Sequence, residues 1–124
     1  MITVESIDSR VSHKDMSFLR LAMKVAETSN CSRRHGAVVV RGGSVLAIGS
    51  NSSRNATLTE HCDIIKHSTV HAEIDALSRV KDARGATVYV ARINASGHVL
   101  FSRPCDYCYN SMILIGIKRI VYTS

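Results

Sequence analysis

The stretch His71-Ala72-Glu73-Ile74-Asp75-Ala76-Leu77 decides how this chain is read, because it sets an imidazole and a carboxylate at the start of an amphipathic segment. Ala72, Ile74, Ala76, Leu77 and Val80 recur at helical spacing, so a helix is expected from about His71 to the Gly85 region. Two positions apart on its first turn, His71 and Glu73 project at different angles, so one can bind a metal while the other stays free. A second fragment, Pro104-Cys105-Asp106-Tyr107-Cys108, follows 34 positions later. Proline suits a helix start, and Met112, Ile113, Leu114 and Ile115 are read as the apolar body of that helix before Gly116. Cysteines three apart on a first turn share a face, and the positive helix end lowers their thiol pKa towards the thiolate that a metal requires. One histidine and two cysteines make three protein ligands. Zinc prefers four, and a fourth position left to water is the arrangement of hydrolytic rather than structural sites.

Outward from these fragments the chain reads as an α/β protein. Ser12 and Asp15 have the spacing of a capping box, and Phe18, Leu19, Leu21, Ala22, Val25 and Ala26 continue as a helix ending near Ser29. Gly36 to Val40, the turn Arg41-Gly42-Gly43-Ser44, and Val45 to Ile48 form an expected antiparallel hairpin. Residues 51 to 70 are polar and aperiodic, and so long a connection is expected to border a functional site. Thr87 to Ile93 reads as a strand, the turn Asn94-Ala95-Ser96-Gly97 leads into a hairpin-like extension at His98 to Ser102, and Arg119 to Thr123 forms the last strand. Crossover helices require the later strands to run parallel.

With 124 residues and 45% hydrophobic content, the chain fits one domain spanning 1–124. Its first ten residues, MITVESIDSR, hold no apolar run of signal length, and no segment approaches the roughly 18 apolar residues of a membrane span, so a cytoplasmic protein without a membrane partner is expected. Four cysteines in such a chain point to metal or chemistry rather than to a disulfide framework. Sixteen Lys and Arg against ten Asp and Glu give a net charge of +6, which favours anionic partners.

Together, His71-x-Glu73 and Pro104-Cys105-x-x-Cys108 resemble the H-x-E and P-C-x-x-C signature of zinc deaminases. Over nearly its whole length the chain resembles the cytidine deaminase superfamily, and it looks closest to deoxycytidylate deaminases. The likeness is carried by Ser29-Asn30-Cys31-Ser32-Arg33-Arg34-His35-Gly36-Ala37-Val38-Val39-Val40, by His71 to Leu77, and by Gly116-Ile117-Lys118-Arg119-Ile120-Val121-Tyr122. It implies a three-layer α-β-α fold with a mixed sheet and one catalytic zinc on His71, Cys105 and Cys108. Glu73 would then move the protons, the Ala72 amide would hold the pyrimidine carbonyl, and the Arg103 carbonyl would receive the exocyclic amine. Asn51 would contact the sugar. Likeness to members with a structural zinc implies a second ion on Cys31, His61, Cys62 and His67.

The chain also departs from those relatives. Gly49-Ser50-Asn51-Ser52 stands where effector-responsive members have Gly-Tyr-Asn-Gly, Asp75 stands where asparagine is usual, and the Asn94 to Arg103 segment is longer. The chain stops directly after the fourth expected strand, which would leave an exposed edge and favours a homo-oligomer. The function implied is hydrolytic deamination of a cytosine nucleotide, dCMP to dUMP with release of ammonia, with Arg33, Arg34 and Arg54 as candidate phosphate partners. A first alternative takes cytidine or deoxycytidine, or a base in single-stranded DNA or RNA. The positive charge favours nucleic acid, while the small size and only six Phe and Tyr residues count against a stacking channel. Tyr107 and Tyr109 are the candidates for stacking on a base. A second alternative is an inactive, zinc-stabilised interaction module.

Overall fold

The structure, a computed structural model, describes residues 3–6, 11–31, 33–53 and 69–123. In chain order the elements are β1 (Thr3–Ser6), α1 (His13–Ala26), β2 (Arg34–Arg41), β3 (Ser44–Ser50), β4 (Ser52–Ser53), β5 (Thr69–Val70), α2 (Ala72–Leu77), β6 (Thr87–Ile93), β7 (Val99–Leu100), α3 (Asp106–Ile115) and β8 (Arg119–Tyr122). Ser12 starts α1 as the sequence suggests: Asp15 N–H donates to Ser12 Oγ at 3.0 Å, and Ser12 N–H donates back to the Asp15 carboxylate at 3.0 Å. Gly42 and Gly43, at φ 59° and 79°, turn β2 into β3. The two strands pair antiparallel from Gly36 opposite Ser50 to Arg41 opposite Ser44, with a bulge at Val39 and Val40.

The main sheet runs β1-β8-β6-β2-β3, with β7 added beside the end of β6. β2 pairs antiparallel with β6, whereas β8 runs parallel to β6 because α3 carries the chain back between them. Alternation along each strand divides the core. Leu19, Ala22 and Val25 of α1 pack against Val38, Tyr89, Ala91 and Val121 on one face. Ala72, Ala76 and Leu77 of α2 and Cys108 and Met112 of α3 pack against Ala37, Val39, Val88, Val90 and Ile120 on the other. Helix, sheet and helix form three layers.

Two strand glycines set how closely the helices sit. A Cβ on Gly36 would lie 2.0 Å from the Ala22 carbonyl oxygen of α1, and one on Gly49 would lie 2.4 Å from the Ala76 nitrogen of α2. Only a residue without a side chain lets backbone meet backbone here. Gly49 therefore fixes the height of α2, and with it His71, above the sheet.

Several expectations are corrected. The edge read as exposed after the last strand is paired: Thr3–Ser6 lies parallel to β8, Thr3 opposite Arg119 and Ser6 opposite Tyr122. α2 ends at Leu77 with Ser78 as its cap, well short of Gly85. Asp82 accepts from the Arg84 amide at 3.1 Å, so a local side-chain turn replaces further helix. The apolar run of α3 does not all face inward. Met112 is buried, but Ile113, Leu114 and Ile115 are 46%, 87% and 36% exposed, since consecutive helical residues cannot share one face. Among the described residues, no helix is long and apolar enough to cross a membrane.

Candidate metal centre

α2 and α3 start side by side over the sheet, and each contributes its cap residue. His71 is the N-cap of α2, yet its side chain makes no cap hydrogen bond. Its imidazole reaches across to α3 instead, where Nδ1 lies 3.1 Å from Cys108 Sγ and 3.6 Å from Cys105 Sγ. Cys105 is the N-cap of α3, whose first residue, Asp106, comes two positions after the proline start expected, and its sulfur accepts the Cys108 N–H at 3.5 Å. The two sulfurs thus sit at the positive end of a ten-residue helix, which favours anionic sulfur.

The donor atoms of His71, Cys105 and Cys108 all lie within 4.8 Å of one another. Adjacent corners of a tetrahedron with Zn–N about 2.0 Å and Zn–S about 2.3 Å are about 3.5 Å apart, so the separations of 3.1 and 3.6 Å suit zinc. Burial, and then the neighbouring Glu73 carboxyl and Cys105, push the Cys108 thiol up. A thiolate at that buried position calls for a cation beside it.

Glu73 is buried at the second position of α2, 5% exposed. Removal from water raises its pKa above the ordinary glutamate value, against smaller lowering effects from its own backbone N–H, His71 and the Cys108 side chain. Its carboxyl therefore lies beside the donor cluster. Ala72 is buried at the first position of α2, where an amide has no partner within its helix. Arg103 is exposed and stands two residues before Cys105, following Ser102, whose N–H donates to the Thr123 carbonyl at 2.8 Å. Tyr107, 68% exposed, turns its ring edge-on to His71 at 6.5 Å, while Tyr109 packs against the core.

Asn51 directly follows β3. Its Oδ1 accepts the His35 N–H at 2.8 Å, its Nδ2 donates to the Arg33 carbonyl at 2.7 Å, and its carbonyl accepts from Ser29 Oγ at 2.9 Å. The carboxamide positions the 33–35 segment, a role that the sequence reading did not foresee. Asp75 has a parallel task, accepting the Ser50 N–H at 3.1 Å and pairing with Arg79 at 2.9 Å, so α2 is tied to the end of β3. Gly49 also went unread as a support, though an isolated glycine inside a strand pattern signals close backbone approach. Cys31 is buried ahead of β2 and is disulfide-bonded, which corrects the expectation that it serves as a metal ligand, because a disulfide sulfur offers no thiolate to a second ion; Arg54, His61, Cys62 and His67 lie outside the described residues. Flanking them, Ser52–Ser53 pairs antiparallel with Thr69–Val70.

Comparison with known proteins agrees with this geometry. The cytidine and deoxycytidylate deaminase zinc-binding region, as a family profile, matches residues 12–124. The deoxycytidylate deaminase of Schizosaccharomyces pombe (strain 972 / ATCC 24843) is 30% identical over 118 residues, covering 87% of this chain and 36% of that protein. The chain thus spans about a third of the length of that relative. Among solved structures, the dCMP deaminase of cyanophage S-TIM5 in its apo form is 24% identical, with a TM-score of 0.70 over 91% of this chain and 84% of the phage one. The same phage enzyme in complex with dCMP and dUMP is 21% identical, with a TM-score of 0.68 over 93% and 86%. These two likenesses show the shared fold. The match over residues 12–124 shows the family: the chain belongs to the cytidine and deoxycytidylate deaminases of the zinc-binding type.

Proposed function

We propose that this protein deaminates a cytosine nucleotide hydrolytically, converting dCMP to dUMP with release of ammonia. The observation that carries the reading is the convergence of His71, Cys105 and Cys108 donor atoms within 4.8 Å, with the buried Glu73 carboxyl against Cys108. His71, Cys105 and Cys108 would hold zinc, which when bound supplies water whose pKa is lowered from about 15.7 towards 7.

The remaining work falls to the chain's own residues. Glu73 takes a proton from the attacking water and gives it to N3 of the ring as the C4–O bond forms. It then carries a second proton, taken from the new C4 hydroxyl, to the exocyclic amine, so that the C4 carbonyl forms, the C4–N bond breaks and ammonia leaves. The Ala72 amide would hold the pyrimidine carbonyl and the Arg103 carbonyl the amine. Asn51 would meet the sugar while its carboxamide keeps residues 33–35 in place. The name of the S. pombe relative supports a deoxycytidylate substrate.

The test is a panel of dCMP, CMP, deoxycytidine and cytidine incubated with zinc-loaded protein and monitored for ammonia. Fastest release is expected from dCMP. If all four remain unchanged, the reading fails, and uracil or inosine appearing instead in single-stranded DNA or RNA would replace it with a polynucleotide activity.

A further inference from the structure

A cavity of about 270 Å³ opens at the end of the sheet away from the metal cluster. Its walls come from the start of α1, the β2–β3 turn and the first residues of β6 and β8, with Thr87 of β6 in register with Arg119 of β8. α3 and its cysteines are reached from the opposite end of β6, and the seven residues of that strand span about 20 Å. The cavity is therefore a separate place on the molecule.

Its electrostatics are one-sided. Lys14, Arg41, Lys118 and Arg119 line it, and among the described residues Asp15 is the one carboxylate in the lining. Asp15 is already saturated: both terminal nitrogens of Arg119 donate to it at 2.8 Å, Tyr89 Oη donates at 2.6 Å, and the Ser12 N–H donates at 3.0 Å. Arg41 is held in place by donating to the carbonyls of Asp82 at 2.7 Å and Arg84 at 3.2 Å, close enough to the Asp82 carboxylate to help hold that group's pKa down, so the open cationic charge rests on the two lysines. Among the described residues, the Lys14 and Lys118 ammonium groups and the Thr87 hydroxyl have no hydrogen-bond or ion-pair partner. Lys14 Nζ folds over the turn, 3.7 Å from where a Gly43 Cβ would stand, and nothing lies within 4 Å of a Cβ on Gly42. The α1 N-terminus adds its positive end. An apolar wall completes the cavity, with the Phe18 ring 5.1 Å from that of Tyr89.

We propose that this cavity is a second binding site, for a small phosphorylated anion bearing two or more negative charges. Two free ammonium groups and a free hydroxyl, set around a concave surface with no available carboxylate among the described residues, match the several acceptor oxygens of a di- or polyphosphate.

The test is titration of the zinc-loaded protein with inorganic pyrophosphate at low ionic strength, by calorimetry and by amide chemical shifts. One saturable site per chain is expected, with shifts at Gly43, Thr87 and Lys118. The double variant Lys14→Ala, Lys118→Ala should bind at least about tenfold more weakly, while Arg20→Ala, Lys24→Ala, which removes equal charge from the exposed surface of α1, should change affinity by less than about twofold. Circular dichroism confirms that both variants fold. Absence of saturable binding, equal loss in the two variants, or shifts confined to residues 105–108 would each overturn the proposal. So would binding of a single-stranded oligonucleotide with no binding of pyrophosphate, because the lysines would then belong to an open polyanion surface.

Discussion

Arg119 grips Asp15 with both terminal nitrogens at 2.8 Å, joining the first turn of α1 to the first residue of β8 across 104 positions of sequence. Tyr89 of β6 donates to the same carboxylate from the sheet. One buried group thus ties together a helix and two parallel strands.

The pair makes stability depend on pH in a defined direction. The Arg119 guanidinium, with lesser help from Tyr89 and Ser12, holds the Asp15 carboxyl well below the usual carboxylate range despite its burial. A depressed folded pKa contributes stability that is complete above the unfolded value of about 3.9 and is lost as pH falls below it. Asp15→Asn should therefore be about 3 kcal/mol less stable than the wild type at pH 7. Urea melts followed by circular dichroism should show that difference shrinking below about pH 4. A difference that stays constant down to pH 3 would contradict the assignment.

Gly49 bears on the metal site through packing alone. Because a Cβ there would stand 2.4 Å from the Ala76 nitrogen and 2.6 Å from the Ala72 carbonyl oxygen, α2 must move in Gly49→Ala. A loss of about 2 kcal/mol is expected, together with weaker zinc retention on dialysis, read by metal analysis. Normal stability and normal zinc content would show that α2 is not held by this contact.

Thr123 secures the extension that precedes Cys105. Its hydroxyl donates to the Leu100 carbonyl at 2.6 Å, lies 2.8 Å from Ser102 Oγ and accepts the Arg92 N–H at 3.3 Å. Thr123→Val keeps the shape and removes every one of these bonds, at a cost of about 1–3 kcal/mol. Amide exchange at Leu100 and Ser102 should accelerate more than at Val88 in the middle of β6. Uniform acceleration would instead indicate general destabilisation.

What could be read from the sequence was what short-range physics encodes. Ser12 and Asp15 declare a helix start through bonds three residues apart, the Gly42-Gly43 turn declares a hairpin, and His71 and Cys105 stand at helix starts that their local patterns reveal. Long-range pairing was not legible. Thr3–Ser6 is too short to announce itself as a strand, and its partner β8 stands more than a hundred residues away. The length of α2 depended on Asp82 competing for a backbone amide, and the exposure of Leu114 depended on which side of α3 meets the sheet. Gly36 was read as an ordinary strand residue and Gly49 fell just past the expected end of its strand, and neither position showed that a helix lies across it. Asn51 was singled out for a sugar, while its work in positioning residues 33–35 needed the folded neighbour to be seen.

The central claim is that Glu73 moves protons at a zinc held by His71, Cys105 and Cys108. Its most direct test is the rate of dUMP formation from dCMP by zinc-loaded wild type and Glu73→Gln, each first shown to carry one zinc per chain. The account predicts steady turnover by the wild type and a loss of at least about a hundredfold in the variant, the scale of general acid–base assistance. Equal turnover by the two proteins at equal zinc content would contradict it.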